Sequence, residues 1–472
     1  MDKKSTTKKY KRADRPTKRK FHGNRHTVET DTSFTSSSAA KLRKSNDAEV
    51  TTENNYGYCV LEFFTVFSAL SSLVLCAKCN KEIKFSRTTY RGVGFKITLQ
   101  CSCENYQYIP SCPIIEKCFE VNRKIIFAMR VLGVGREGIN IFCSLMDICQ
   151  GISIGTYYAC IENIYLATSA VYNLVISKAV NEEKDLISAC NPNANPTEFT
   201  VSGDGTWKKR GFNSLFGVTT LVAKNCKKVV DTVVKSSFCQ GCNIWKNKKN
   251  SDISAYHDWY EDHQEVCTIN HKGSAGKMEV DAVVEMFGRS VEKHGVKYVK
   301  YIGDGDAKTF KGILDIDPYD GDPLVEKKEC VGHVQKRMAI YENLSSEELL
   351  TRCLGSETQN NNESLNSLIW TFAPKHIHSG PKIIEIATFL AVCIFNEGFI
   401  PILKMMTLMG MKIGPEAHSF AVRRDNARIE RSEIRTSNAS KEARTARLEE
   451  RNAENSFFEV EKGLMYEAGM AD

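Results

Sequence analysis

The sequence lacks an apolar run long enough to cross a membrane. Its most apolar stretch, residues 60–75, is interrupted by Glu62, and a membrane-spanning helix needs about 20 apolar residues. The very basic N-terminus also lacks the apolar segment of a cleavable secretion signal. We therefore expect no membrane partner and a reducing compartment.

Net charge is also missing from most of the chain. Residues 1–50 hold 14 Lys and Arg against 6 Asp and Glu, a net of +8, whereas the whole chain has 64 against 57. The other 422 residues therefore carry 50 basic and 51 acidic side chains. Large aliphatic residues are scarce in the first 50, which predicts a disordered basic tail. Its clusters KKYKR (8–12) and KRK (18–20) indicate import into the nucleus.

Cysteine, in contrast, is abundant, with 18 residues, several of them in close pairs. Without a secretion signal, paired cysteines are more often zinc ligands than disulfides. Cys76 and Cys79, followed about twenty residues later by Cys101 and Cys103, predict a structural Zn²⁺ site of the zinc-ribbon type within residues 51–118. Because the second pair has only one intervening residue, Cys112 or Cys118 remains an alternative ligand.

A second group of cysteines and histidines falls within residues 239–271. Cys239 and Cys242 precede Cys267 and His271, a spacing that predicts another four-ligand structural Zn²⁺ site. His263 is an alternative to His271. Reduced buried thiols beside a surface histidine are the structural alternative to a metal site.

The spacing of the apolar residues divides the rest of the chain into a helical region and a region of mixed strands and helices. Residues 119–196 read as three helices with short glycine turns, typical of either a helix-turn-helix DNA reader or a compact helical linker. From residue 197, three strand-like runs are followed by the Cys/His insert, a helix, a strand, a helix and a further strand around KKECVGHV. This order predicts an α/β, ribonuclease-H-like core over residues 197–422. Residues 423–472 are highly charged and are predicted to be a solvated helix or a disordered tail.

Three acidic residues in this core are candidate ligands of a catalytic metal. Asp204 and Asp304 end strand-like runs, and Glu363 opens a helical segment. Oxygen ligands suit Mg²⁺ or Mn²⁺, and a pair of such ions supports phosphodiester chemistry. Asp306 is an alternative to Asp304 as the ligand. Because Asp-Gly pairs are also common in turns, each aspartate could instead simply belong to a turn.

Cys330 and His333 form a Cys-x2-His pair between the second aspartate and the glutamate. Taken alone, the pair is a weak signal, because a core cysteine beside a polar histidine is common. Its position between two candidate ligands is what draws attention to it.

From about residue 15 to 420 the chain resembles the Mutator-like transposase domain, a cut-and-paste DNA transposase with a ribonuclease-H-like DDE core. The resemblance is carried by stretches in a fixed linear order: KRKFHGNRHT, NRKIIFAMRVLGVGREGINIFCSLM, SGDGTWKKRGFNSLFGV, FCQGCNIW, INHKGSAGKMEVDAV, RSVEKHGVKYVKYIGDGDAKTF, ECVGHVQKRM and LSSEELLTRCLGSETQNNNESLNSLIW.

The resemblance implies metal-dependent cleavage at transposon ends and attack of a 3′-hydroxyl on target DNA. It implies that Asp204, Asp304 and Glu363 are the three catalytic acids, and it makes Cys330 and His333 part of the family pattern. Transposases commonly act as multimers, so a homo-oligomer is an expected assembly. Candidate DNA contacts are Lys208, Lys209, Arg210, Lys336 and Arg337.

The chain departs from the family in one place. Mutator-like transposases usually carry a long helical insertion after HVQKRM, whereas here Met338 continues directly into Ala339, and Glu363 follows Asp304 by only 59 positions. This indicates a deletion or an altered splice. Two hypotheses follow: a transposase, inactive if the deleted part is essential, or a catalytically dead, transposase-derived, zinc-stabilised DNA-binding protein.

Overall fold

A computed structural model describes residues 37–43, 50–103, 106–209, 214–304, 307–338, 347–354 and 357–437. Its centre is a five-stranded sheet with helices on both faces. The strands are β6 (Glu198–Trp207), β7 (Phe216–Ala223), β8 (Val229–Ser236), β9 (Lys297–Gly303) and β10 (Glu326–Glu329). They lie in the order β10-β9-β6-β7-β8; β6, β7 and β8 are antiparallel, whereas β9 and β10 run parallel to β6.

The sheet is buried on both sides, which explains why β7 (FGVTTLVA) has no exposed residue. One face packs against α9 (Ala275–Gly288), which continues into α10 (Ser290–His294) and packs against α11 (Ala307–Ile316). The other face packs against α5 (Ile154–Cys190), α14 (Asn360–Phe372) and α15 (Pro381–Glu397). The remaining C-terminal helices are α12 (Val331–Met338), α13 (Glu347–Arg352), α16 (Ile400–Leu408) and α17 (Pro415–Ser437).

The predicted helical region is part of the same core as the sheet. It contains α3 (Glu120–Val131), α4 (Arg136–Leu145) and α5, separated by turns in which Gly133 and Gly151 have positive φ angles of 76° and 107°. α5 is 37 residues long, and it packs against β8, α15 and α16. By length and composition α5 could cross a membrane, which corrects the expectation that no run in the sequence is long and apolar enough; half of its most apolar window is buried inside the protein.

The N-terminal cysteine-rich part forms a small antiparallel sheet. After α2 (Phe63–Leu73), which Glu62 caps through the backbone N–H groups of Phe64 and Thr65, the strands are β1 (Ile83–Arg91), β2 (Gly94–Cys101) and β3 (Tyr106–Pro110). The short pair β4 (Ile114–Ile115) and β5 (Cys118–Phe119) leads into α3. The apolar run of residues 60–75 is thus an 11-residue helix.

Three expectations about elements need correction. Residues 37–43 of the predicted disordered tail form α1 (Ser37–Arg43), whose buried Ala39 and Leu42 pack toward α15 and α17. α17 crosses the predicted domain boundary at residue 423. The strand predicted around KKECVGHV ends at Glu329, because Val331 begins α12.

Candidate functional site

The carboxylates of Asp204 and Asp304 are brought together by the parallel pairing of β6 with β9. Ser202 pairs with Ile302, and extending this register by two residues places Asp204 beside Asp304. Asp204 is not in an Asp-Gly turn, since β6 continues to Trp207. A Cβ at Gly203 would lie 2.5 Å from the Tyr301 ring, and one at Gly205 would lie 2.8 Å from the carboxylate of Glu279. Gly203 therefore requires glycine, whereas at Gly205 a larger residue would displace the Glu279 side chain.

The electrostatics of Asp204 show which charged groups surround it. Burial first of all, and then the negative charges of Asp304 and Glu363, raise its pKa to about 7, while His333 opposes the shift. Carboxylates that act on one another in this way favour an arriving cation, which removes their repulsion. The structure thus brings the three acidic residues predicted from sequence within range of one another's charge, although among the described residues they do not form a group with all ligand atoms within 4.8 Å.

His333 and Cys330 lie at the same edge of the sheet. Nε2 of His333 is 3.7 Å from Oε1 of Glu363. Cys330 is buried, and its backbone N–H donates to the carbonyl oxygen of Gly303, directly before Asp304. Burial alone would raise the pKa of the Cys330 thiol, but its hydrogen bonds, first of all with His333, hold the pKa below its ordinary value. Cys330 therefore contacts the cluster through His333.

A row of amide side chains on α14, which sequence reasoning missed, fastens Glu363 and its helix to β6. Gln359 donates to the carbonyl oxygen of Gly203 at 2.6 Å, and Asn362 donates to that of Ser202 at 3.1 Å. Asn366 donates to Oδ2 of Asp204 at 2.7 Å, and Nε1 of Trp370 donates to Oγ1 of Thr206 at 2.8 Å. These spacings of three or four residues are those of one helix face. The polar NNNESLNSLIW run carried that signal, because amides recur there at helical spacing.

Removing the amide of Asn366 is expected to weaken divalent cation binding by about tenfold, a usual effect of losing a group that orients a metal ligand. Asn366→Leu keeps the size of the side chain but leaves Asp204 without its hydrogen bond. The measurement is Mn²⁺ affinity by isothermal titration, with the exposed Ser364→Ala on the same helix as control. Equal Mn²⁺ affinity in wild type and Asn366→Leu would contradict the orienting role.

Four cysteines come together beside the small N-terminal sheet. The Sγ atoms of Cys79 and Cys101 are 3.0 Å apart, and those of Cys76 and Cys103 are 3.8 Å apart. All four sulfur atoms lie within 4.8 Å of one another. Neither Cys112 nor Cys118 belongs to this group among the described residues. Four cysteine sulfurs grouped in this way could hold a structural zinc ion in tetrahedral geometry.

The second group contains His263 in place of the predicted His271. Nε2 of His263 lies 3.2 Å from Sγ of Cys239 and 3.3 Å from Sγ of Cys242, and Cys267 lies 3.6 Å from Cys242. The insert folds as α6 (Gln240–Trp245), α7 (Lys248–Ser251) and α8 (Ile253–Gln264), and α8 returns His263 to the cysteine pair. The three cysteines and His263 also fit structural zinc.

His271 instead supports the start of α9, which corrects the sequence prediction. Its Nδ1 lies 3.0 Å from a carboxylate oxygen of Asp281, and its Nε2 lies 3.1 Å from the carbonyl oxygen of Ser274. Of the other residues singled out from sequence, Asp306 and Arg210 lie outside the described residues, as do the side chains of Lys336 and Arg337.

A family model described as Mutator-like transposase matches residues 57–370, more than half of the chain. The chain belongs to the Mutator-like transposase family. The resemblance predicted from sequence is thereby confirmed. Comparison with curated proteins and with solved structures gave no match. In this Mutator-like transposase the matched range contains both cysteine groups, the three acidic residues and the Cys330–His333 pair.

Proposed function

We propose that this chain is a DNA transposase in which Asp204, Asp304 and Glu363 hold Mg²⁺ or Mn²⁺ for cleavage and strand transfer of DNA. The observation that carries the proposal is the register of β6 with β9, which sets Asp304 beside Asp204, together with the hydrogen bond from Asn366 on the helix of Glu363 to Asp204. Bound divalent ions would supply activation of the attacking hydroxyl or water and stabilisation of the leaving oxygen. Asn366 holds one oxygen of Asp204, and the register of β6 with β9 sets Asp304 beside it.

The sheet supports a ribonuclease-H-like core. Three antiparallel strands are followed by two parallel strands on the other side of β6, in the order β10-β9-β6-β7-β8. This topology places the ends of β6, β9 and β10 at one edge. The candidate acids Asp204 and Asp304, together with His333, lie along that edge, and α14 brings Glu363 to it.

The short connection after Met338 bears on activity rather than on the assembly of the site. Residues 339–346 lie outside the described residues. After this segment of the chain, α14 still reaches β6. Glu363 lies near His333, and Asn366 is hydrogen-bonded to Asp204. That these contacts form without the usual insertion supports the proposal. What a deletion at Met338–Ala339 removes is surface that family members use for DNA contacts and assembly.

The missing insertion favours a second candidate, a catalytically inactive DNA-binding protein stabilised by zinc. Its two cysteine groups are geometrically complete. In this case DNA binding would survive loss of the carboxylates but not loss of zinc.

The test compares DNA cleavage and DNA binding in zinc-loaded protein with Mg²⁺ or Mn²⁺ and DNA carrying the transposon ends. The transposase proposal predicts metal-dependent cleavage that Asp204→Asn abolishes. No cleavage by wild type, with DNA binding unchanged in Asp204→Asn and lost in Cys76→Ser, would support the second candidate. Sequencing the genomic DNA between the codons of Met338 and Ala339 adds a control. If it contains a skipped exon, the protein that includes this exon can be tested in the same assay as a full-length enzyme.

A further inference from the structure

Two cationic side chains are buried beside each other where β6 ends. Lys208 is 7% exposed and Arg130, in the last turn of α3, is 5% exposed. Nζ of Lys208 and Nε of Arg130 make no hydrogen bond in the described structure. Burial, and then the charges of Arg130 and Lys209, lower the pKa of Lys208 to about 8. Lys208 therefore lies close enough to Arg130 for the two charges to repel.

No carboxylate of the described residues is among the charges that act on this pair. Besides Arg130, Lys209 acts on Lys208, and the phenol of Tyr157 in α5 acts on Arg130. A buried charge normally has an opposite charge or hydrogen bonds to compensate for the loss of water. Lys228, for example, is fully buried between Glu182 and Glu397, whereas buried Lys41 lies over the ring of Phe395 instead of beside a carboxylate. Lys208 and Arg130 are therefore arranged as a site that lacks its anion.

This cationic pair lies on the same face of β6 as the candidate catalytic acid. Asp204, Thr206 and Lys208 alternate with residues on the other face, and α14 contacts the first two through Asn366 and Trp370. At 3.3 Å per residue, the Cα of Lys208 is about 13 Å along the strand from that of Asp204. Because a strand of B-DNA advances about 3.4 Å per nucleotide along the duplex axis, this separation is on the scale of a few nucleotides.

The end of α14 also reaches the cationic pair. Gly133, three residues after Arg130, packs so closely against α14 that a Cβ there would lie 2.7 Å from the carbonyl oxygen of Thr371. The helix that carries Glu363 near its start therefore ends close to Arg130. The candidate acids therefore lie near the start of α14, and the two buried cations lie near its end.

We propose that Lys208 and Arg130 form a subsite for a backbone phosphate of the DNA, a few nucleotides from the bond held at the carboxylates. The proposal rests on the proposed transposase function for the identity of the anion. A phosphate between the two side chains removes their repulsion and accepts hydrogen bonds from the ammonium and guanidinium groups. The DNA is thereby positioned along β6 without any reading of its bases.

The first test uses inorganic phosphate as the probe at pH 7. Raising phosphate at constant ionic strength should increase the melting temperature of wild type, because ligand binding to the folded state stabilises it. Lys208→Met and Arg130→Met should lose this increase, and Lys208→Arg should keep it. Lys117→Met, which removes an exposed charge between β4 and β5, is the matched control and should behave as wild type.

The second test measures DNA affinity without Mg²⁺ or Mn²⁺, so that cleavage plays no part. Lys208→Met should weaken binding by roughly fivefold to tenfold and reduce the slope of log affinity against log salt by about 1. If the variant is only more stable, with phosphate and DNA binding as in wild type, the cations are buried without a ligand and the subsite is refuted. Loss of binding in Lys208→Met, together with absent cleavage in wild type, would uphold the subsite and refute the catalytic proposal instead.

Discussion

Asp204→Asn is expected to stabilise the protein by roughly 2 kcal/mol at pH 8 in the absence of Mg²⁺ and Mn²⁺, while abolishing metal-dependent cleavage. Asparagine is nearly isosteric with aspartate but carries no charge, so it removes the repulsion from Asp304 and Glu363 that, after burial, raises the pKa of Asp204 to about 7. A shift of about three pKa units corresponds to roughly 4 kcal/mol. We take about half of that value because Asp204 is partly exposed and solvent screens its neighbours.

The same change has a defined pH dependence. An aspartate in the unfolded chain loses its proton near pH 4, whereas Asp204 in the folded protein retains it up to about pH 7. The folded state then binds more protons, so this group makes wild type less stable as pH rises from about 4 to 7. The stability gain of Asp204→Asn should therefore be small at pH 4.5 and complete above pH 7. Chemical denaturation of zinc-loaded protein at the two pH values measures it, and an equal gain at both would contradict this account.

Loss of the second cysteine–histidine group is expected to have the larger structural effect. Cys239→Ser or His263→Ala should reduce bound zinc from two ions per chain to one and unfold the insert. Structural zinc contributes an apparent binding free energy of about 10–16 kcal/mol in isolated zinc-finger peptides, so no other contact within the insert can compensate. Zinc content by atomic emission gives the stoichiometry. Tryptophan fluorescence gives the structure, because Trp259 stacks on His263 at 4.4 Å and on Trp245 at 4.8 Å between ring centroids.

His271→Ala is the matched control for this second prediction. It removes a histidine from the same region, but one that contacts Asp281 and the carbonyl oxygen of Ser274 instead of the cysteines. We expect two zinc ions per chain and wild-type fluorescence, with at most a modest loss of stability at the start of α9. One zinc ion in His271→Ala together with two in His263→Ala would restore the original prediction from sequence.

The sequence predicted the acids and cysteines because their signals are local. Asp204 and Asp304 stand at the ends of apolar, β-branched runs, and closely spaced cysteine pairs are rare by chance. Which histidine joins the second cysteine group, His263 or His271, could not be read from local sequence. It depends on α8 folding back onto the cysteine pair. Likewise, nothing in the spacing of Arg130 and Lys208, 78 positions apart in the sequence, indicates that α3 and β6 bring them together.

Composition misled the prediction at both ends of the described core. Residues 37–43 contain a charged lysine in a polar setting, yet Nζ of Lys41 lies 3.8 Å from the ring centroid of Phe395, and the side chain is buried. α17 reads as a solvated tail, but Arg428 donates to the carbonyl oxygen of Ile394 and Asp425 accepts from the backbone of Phe399. A long polar side chain can bury its aliphatic stem against a helix that is distant in sequence. Amino-acid composition alone does not reveal such burial.

Mn²⁺ binding at pH 8, followed by electron paramagnetic resonance of zinc-loaded protein, tests the central claim most directly. That claim is that Asp204, Asp304 and Glu363 form one divalent metal site at the edge where β6 and β9 meet α14. We expect wild type to bind Mn²⁺ and both Asp204→Asn and Glu363→Gln to lose it, with zinc content unchanged. If both variants bind Mn²⁺ as wild type does, the three carboxylates do not form a metal site.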